Sequence, residues 1–120
     1  ISPMQTTKAS IIKTYTALGW WGTTRIDELL DQAVAAHPQR TAIVDPPNRS
    51  EIVGGEPLRW TYSELAQRVE LLTISLYARG VRPDDIVVVQ LPNIVELPEV
   101  ILALSRLGAI ISPVPVQYGI

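Results

Sequence analysis

The feature that most constrains the fold is the alternation packed into residues 86–113. Ile86 to Leu91 reads Ile-Val-Val-Val-Gln-Leu, a nearly continuous apolar run rich in β-branched side chains. Such a run suits a strand covered on both faces, the situation found in parallel sheets. Val100, Ile101, Leu104 and Leu107 then recur at helical spacing, and Gly108 follows as a residue that tolerates a left-handed helix end. Asn93 and Glu96 mark the start of this helix, and Pro98 fits it only in the first turn or at a kink. Ala109 to Pro113 is apolar again. Strand, helix and strand in succession predict a βαβ unit over 86–113, with parallel strands and a right-handed crossover.

The preceding residues predict a second, antiparallel element. Thr41 to Asp45 reads as a short strand, and Leu58 to Thr61 as its partner in a β-hairpin. Between them, Pro46-Pro47 and Gly54-Gly55 predict a long turn or flexible loop. Thr61-Tyr62-Ser63-Glu64 has the spacing of a capping box, and Leu65, Val69, Leu72 and Leu76 supply one helical face up to Gly80. An earlier helix is expected from Thr24, as cap, to His37. Asp27 lies three residues beyond that cap, and Ile26, Leu29, Leu30, Ala33 and Val34 share a stripe. The fold class is therefore α/β. Residues 1–22 read as an arm anchored by Trp20-Trp21, and 23–120 as an α/β core portion.

Composition narrows the chemistry. The chain of 120 residues is 47% apolar and 18% charged, which favours a folded chain with a real core. A net charge of −2 without blocks of like charge gives no nucleic-acid footprint. The absence of Cys excludes thiolate nucleophiles and Cys-based metal sites, and the lone His37 leaves no partner for a His cluster. No run approaches the ~20 apolar residues of a spanning helix, and no secretory signal is recognisable, so a cytoplasmic location is expected.

Few residues invite a functional reading. Asn93 follows the first strand of the βαβ unit, at the sheet edge where α/β proteins often bind ligands, but it also suits a helix cap. Asp27-Glu28 and Asp84-Asp85 are adjacent acids in a helix start and a turn, where side chains do not converge on one substrate atom. His37 suits a helix C-terminus. Arg25, Arg40, Arg59, Arg68, Arg79, Arg82 and Arg106 are scattered and read as solvated or pairing surface groups.

Several short motifs occur in a telling order. They are Pro38-Gln39-Arg40-Thr41-Ala42, then Trp60-Thr61-Tyr62-Ser63-Glu64-Leu65, then Leu76 to Val87 with Gly80-Val81 inside it. Pro92-Asn93-Ile94-Val95-Glu96 and Ala103 to Ala109 complete the series. In order and spacing, from about Gly19 to Tyr118, the chain resembles the opening part of adenylate-forming enzymes, the AMP-binding superfamily of acyl-CoA and aryl-CoA ligases. The Gly-Trp-Trp opening and Val-Val-Val-Gln-Leu-Pro-Asn segment are most similar to branches acting on aryl or alicyclic acids and to bacterial acyl-CoA synthetases.

That resemblance implies an incomplete N-terminal portion, residues 1–120, of one large adenylation domain. It also implies a carboxylic acid–CoA ligase of the kind found in fatty acid metabolism, with ATP, Mg²⁺ and CoA as reactants of the parent enzyme. The partners would be the remainder of the same enzyme, the acid, ATP and CoA, with no nucleic acid and no membrane span. The loop after the second strand would lie near the acyl or thiol entry, which makes Gln117 and Tyr118, with Asn93, candidate substrate or CoA channel residues.

The family's phosphate loop, metal-binding acids and catalytic Lys have no match here, so no catalytic or metal residue is assigned and the 120 residues alone are expected to be inert. Gly22-Thr23-Thr24 has the loop's central letters without its flanks. The rival reading is a free-standing α/β interaction or small-molecule-binding module. The fragment reading also expects apolar surface at Val87, Val89, Ile101 and Leu104, facing missing neighbours.

Overall fold

A computed structural model describes residues 5–118. Its elements are α1 (Ala9–Ala17), α2 (Ile26–Ala36), β1 (Thr41–Val44), α3 (Arg49–Ile52), β2 (Arg59–Thr61), α4 (Tyr62–Ala78), β3 (Ile86–Val89), α5 (Glu96–Leu107) and β4 (Ile110–Pro113). The strands form two separate pairs: β1–β2 antiparallel, and β3–β4 parallel with Ile86 opposite Ile110 and Val89 opposite Pro113. Both the expected hairpin and the βαβ unit are present. In the hairpin, the register slips between Thr41 and Ile43.

Local chemistry explains most boundaries. The Thr61 hydroxyl accepts the Glu64 N–H at 3.1 Å and lies 3.1 Å from Glu64 Oε1, so the cap of α4 forms where its motif predicts it. Pro98 occupies the third position of α5, where a missing N–H costs no helical bond. Gly108 closes α5 with φ of 73°, a left-handed conformation that favours glycine, while a Cβ there would meet Pro83 only at ordinary contact distance.

The core lies where α2, α4 and α5 meet behind the hairpin. Leu30, Trp60, Leu65, Val69, Val95 and Ala103 form one buried cluster, and Leu104 and Leu107 extend the buried side of α5. The Arg68 guanidinium lies 4.2 Å from the Trp60 ring centroid and 3.4 Å from the buried Glu99 carboxylate, closing the cluster at one side.

Several expectations change. Arg25, not Thr24, is the N-cap of α2, and its N–H donates to Glu28 Oε2 at 3.1 Å. The box shifts by one residue because Asp27 turns inward, accepting from Arg25 and from Ser105 Oγ. Ile26 and Leu29 consequently lie outside the core, exposed.

Asn93 does not cap α5 with its side chain; Val95 holds the cap position and its N–H goes to Asp45. Residues 46–57 are not wholly loop, since α3 forms one turn there. The arm contains α1, which buries none of its residues. Trp20 and Trp21 are 69% and 41% exposed, stacking near Tyr15 rather than anchoring the arm in the core. Residues 1–4 of the arm lie outside the described residues.

β3 is covered on one face only. Val89 and Leu104 are buried and Val87 and Ile101 half-buried, whereas Ile86 and Val88 are 60% and 66% exposed. The apolar surface expected at Val87, Val89, Ile101 and Leu104 lies instead at Ile86 and Val88, which alternate to the opposite face of the strand. Among the described residues nothing covers that outer face, so the continuous apolar run is half-exposed.

Candidate functional site

The clearest polar constellation forms around Asp45, at the end of β1. Its side chain is sealed from solvent. Oδ1 accepts the Val95 N–H at 2.9 Å, while Oδ2 accepts the Leu58 N–H at 2.8 Å and Arg49 Nη1 at 2.7 Å. Arg49 Nη1 also reaches Glu96 Oε1 at 2.7 Å. One carboxylate thus ties the hairpin, α3 and the start of α5 together. Burial on its own would push the Asp45 carboxyl up, but the Leu58 and Val95 N–H donors and the Arg49 guanidinium outweigh it and hold the carboxyl below its ordinary range.

A second buried carboxylate, Asp27, joins α2 to α5. The Arg25 bidentate contact, at 3.1 Å for each oxygen, is the main force holding its carboxyl below the ordinary range. Burial opposes that effect, and the Ser105 hydroxyl at 2.8 Å adds to it. Nearby, Arg106 on α5 pairs with Asp31 on α2.

Beside Asp45 opens a cleft of about 280 Å³ between the end of β1 and the start of α5. Ile43, Val44, Pro46, Ile94, Val95 and Pro98 make its apolar walls, and Asn93 stands at its edge. The Asn93 side chain is exposed and makes no hydrogen bond among the described residues. Gln117 and Tyr118 lie past the end of β4, both exposed. Gln90 Nε2, just past β3, donates to the carbonyls of Pro115 and Tyr118 at 3.0 and 2.9 Å. The three sequence candidates therefore follow the carboxyl ends of the two parallel strands, but only Asn93 lines the cleft.

Sequence reading overlooked Asp45 and Arg49. Pro46-Pro47 immediately after Asp45 was the available signal, since an acid next to a rigid turn is well placed to accept nearby N–H groups. His37 is exposed at the end of α2, where it holds the C-cap position. Asp85 caps its own turn through the Arg82 N–H at 2.8 Å, as expected of a turn acid. Among the described residues no group of His, Asp and Glu side chains is arranged to hold a metal ion, and no helix is long and apolar enough to cross a membrane.

Comparison with known proteins adds the family context. Residues 30–120 match the AMP-binding enzyme family. The chain is 34% identical over 96 residues to a salicyl-AMP ligase/salicyl-S-ArCP synthetase of Mycobacterium tuberculosis, covering 80% of this chain and 16% of that protein. It is 36% identical over 96 residues to the 2-hydroxy-7-methoxy-5-methyl-1-naphthoate–CoA ligase of Streptomyces carzinostaticus, covering 80% and 15%. Its fold superposes on the apo structure of MbtA from Mycobacterium smegmatis with a TM-score of 0.72 and 28% identity, over 98% of this chain and 20% of that one. Structures solved as N-terminal domains or subdomains share the fold as well. The chain thus spans about one sixth of the length of the curated relatives it matches.

Proposed function

Because the chain belongs to the AMP-binding enzyme family and folds as the N-terminal part of an adenylate-forming large domain, we propose that it serves an ATP-dependent ligase for an aromatic carboxylic acid, with CoA as thiol acceptor. The acid's carboxylate attacks the α-phosphorus of ATP, releasing pyrophosphate and leaving an acyl-adenylate. A thiolate then attacks the acyl carbon, the C–O bond to AMP breaks, and a thioester and AMP leave. The observation that carries this reading is the likeness to the salicyl-AMP and naphthoate–CoA ligases, whose named substrates are both aromatic acids. That pattern favours the aryl acids that the sequence resemblance already pointed to over the fatty acids it also implied.

ATP and Mg²⁺ belong to the family's reaction, and no group among the described residues here is arranged to bind Mg²⁺. The part played by these residues is structural. α5 packs against β4 and, as the crossover, sets the carboxyl ends of β3 and β4, from which Asn93, Gln117 and Tyr118 border the substrate or CoA channel. Residues 1–120 on their own catalyse nothing.

Acid-dependent ATP–pyrophosphate exchange by the protein that carries these residues tests the reading. The panel contains salicylate-like and naphthoate-like acids and long-chain fatty acids, followed by CoA or a phosphopantetheinyl carrier protein. Exchange with aryl acids and aryl-CoA formation is expected. Exchange restricted to fatty acids overturns the substrate class, and transfer restricted to the carrier overturns CoA as acceptor. Exchange by the 120-residue polypeptide alone overturns its inertness.

A further inference from the structure

The cleft beside Asp45 has a composition that selects a kind of ligand. Its walls are aliphatic and proline side chains from β1, the following turn and the start of α5. Its volume of about 280 Å³ falls just under the range of sites for drug-sized molecules, so the space suits one small ring system. Two polar side chains line it, and they differ in what they can offer. Asp45 already accepts two backbone N–H groups and Arg49, and its side chain is shut off from solvent, so it presents no oxygen to a ligand. The exposed Asn93 amide has both a donor and an acceptor to give.

Charge narrows the choice further. Asp45 and Glu96 carry two negative charges, Arg49 carries one positive charge, and Arg49 is already engaged by both carboxylates. Of the three only Asp45 lines the cleft; the ion-pair cluster behind it is net negative, and its one cation is occupied. An anion entering here meets repulsion without a guanidinium to receive it, and a neutral molecule meets neither penalty.

We propose that this cleft binds a small neutral arene bearing a single hydrogen-bonding group of the carboxamide type, with the ring against Ile43, Val95 and Pro98 and the polar group on the Asn93 amide. A neutral ligand here differs from the acid substrate of the ligase, which is an anion, so the proposal goes beyond the ligase reading. It gives a physical basis to the small-molecule-binding alternative that the sequence leaves open, without replacing the ligase reading.

Benzamide and benzoate, nearly equal in shape and different in charge, are the probes. The protein carrying these residues is titrated with each while backbone amide shifts are followed. Benzamide is expected to give saturable shifts centred on Val44, Asp45, Ile94 and Val95, with a Kd on the order of 1 mM. Benzoate is expected to bind at least about tenfold more weakly. Asn93→Ala, at an exposed side chain that bonds to none of the described residues, is expected to weaken benzamide about fivefold while leaving Tm unchanged. Saturable shifts absent or centred elsewhere, benzoate binding as tight as benzamide, or an unaltered Kd in Asn93→Ala each overturns the proposal. Failure of pyrophosphate exchange would remove the ligase reading and leave this outcome untouched.

Discussion

The hairpin half and the parallel half of this molecule are stabilised in opposite ways. Around β1–β2, segments distant in sequence are tied by a sealed carboxylate: Asp45 binds Leu58, 13 residues away, and Val95, 50 residues away. Around β3–β4, order comes from local sequence and from one apolar contact surface, with α5 packed against β4 and one face of β3 left exposed. The first arrangement is highly specific and costly to disturb, since loss of one acceptor strands several donors at once. The second tolerates change on its outer face and fails only if the α5 side is emptied. A short polar hub and a half-covered sheet can thus share one core, with α5 belonging to both.

The comparison is broken most forcefully at Leu104, buried on α5. Leu104→Ala is expected to destabilise the protein by about 2–5 kcal/mol in urea unfolding, because it opens a cavity in the shared core. Val88→Ser, on the open face of β3, is expected to change stability by less than about 0.5 kcal/mol. Equal losses at the two sites would show that β3 is covered on both faces after all.

The polar hub comes next. Asp45→Ala leaves the Leu58 and Val95 N–H groups and Arg49 without their acceptor, and is expected to lower Tm by on the order of 10 °C in thermal unfolding. Asp27→Ala, which loses the Ser105 and Arg25 contacts, is expected to cost about 1–3 kcal/mol.

Acid sharpens the same contrast. Both carboxyls sit below their ordinary range, so the native state binds fewer protons than the unfolded chain. Their contribution is complete above the unfolded carboxylate pKa of about 3.9 and is lost as pH falls through the lower native values. Thermal unfolding from pH 6 down to pH 2 is expected to show Tm falling at the acid end, with a shallower fall in Asp45→Asn. An unchanged slope in that variant would remove Asp45 as a source of acid sensitivity.

The smallest expected effect is at the α4 cap. Thr61→Ala removes the acceptor of the Glu64 N–H and is expected to cost about 1 kcal/mol in urea unfolding, with Thr61→Ser recovering most of it.

Legibility in the sequence followed the range of the interactions. The cap at Thr61, the end at Gly108 and the strand–helix–strand rhythm depend on residues within a turn or two of each other, so their patterns appear directly in the chain. The α2 boundary was misplaced by one residue because Asp27 bonds to Ser105, 78 positions later, and that partner takes precedence over a local cap. Trp20 and Trp21 read as the anchor of the arm by their size, yet both are exposed and their rings lie beside Tyr15. Asn93 was singled out correctly as lying at the strand edge, but the cleft it borders is half built by β1, about 50 residues earlier.

By itself, the amino-acid order determined the element types, the parallel βαβ unit, the hairpin and the motif series of the AMP-binding family. These depend on periodicity, turn chemistry and spacing along the chain. Only the tertiary structure decided that Asp45 would gather the hairpin, α3 and α5, that Arg49 would bridge two carboxylates, and which face of β3 would remain uncovered. Those outcomes depend on which distant groups arrive together once the core closes. A buried carboxylate takes its donors from whatever backbone is then within reach, and no local pattern encodes that choice.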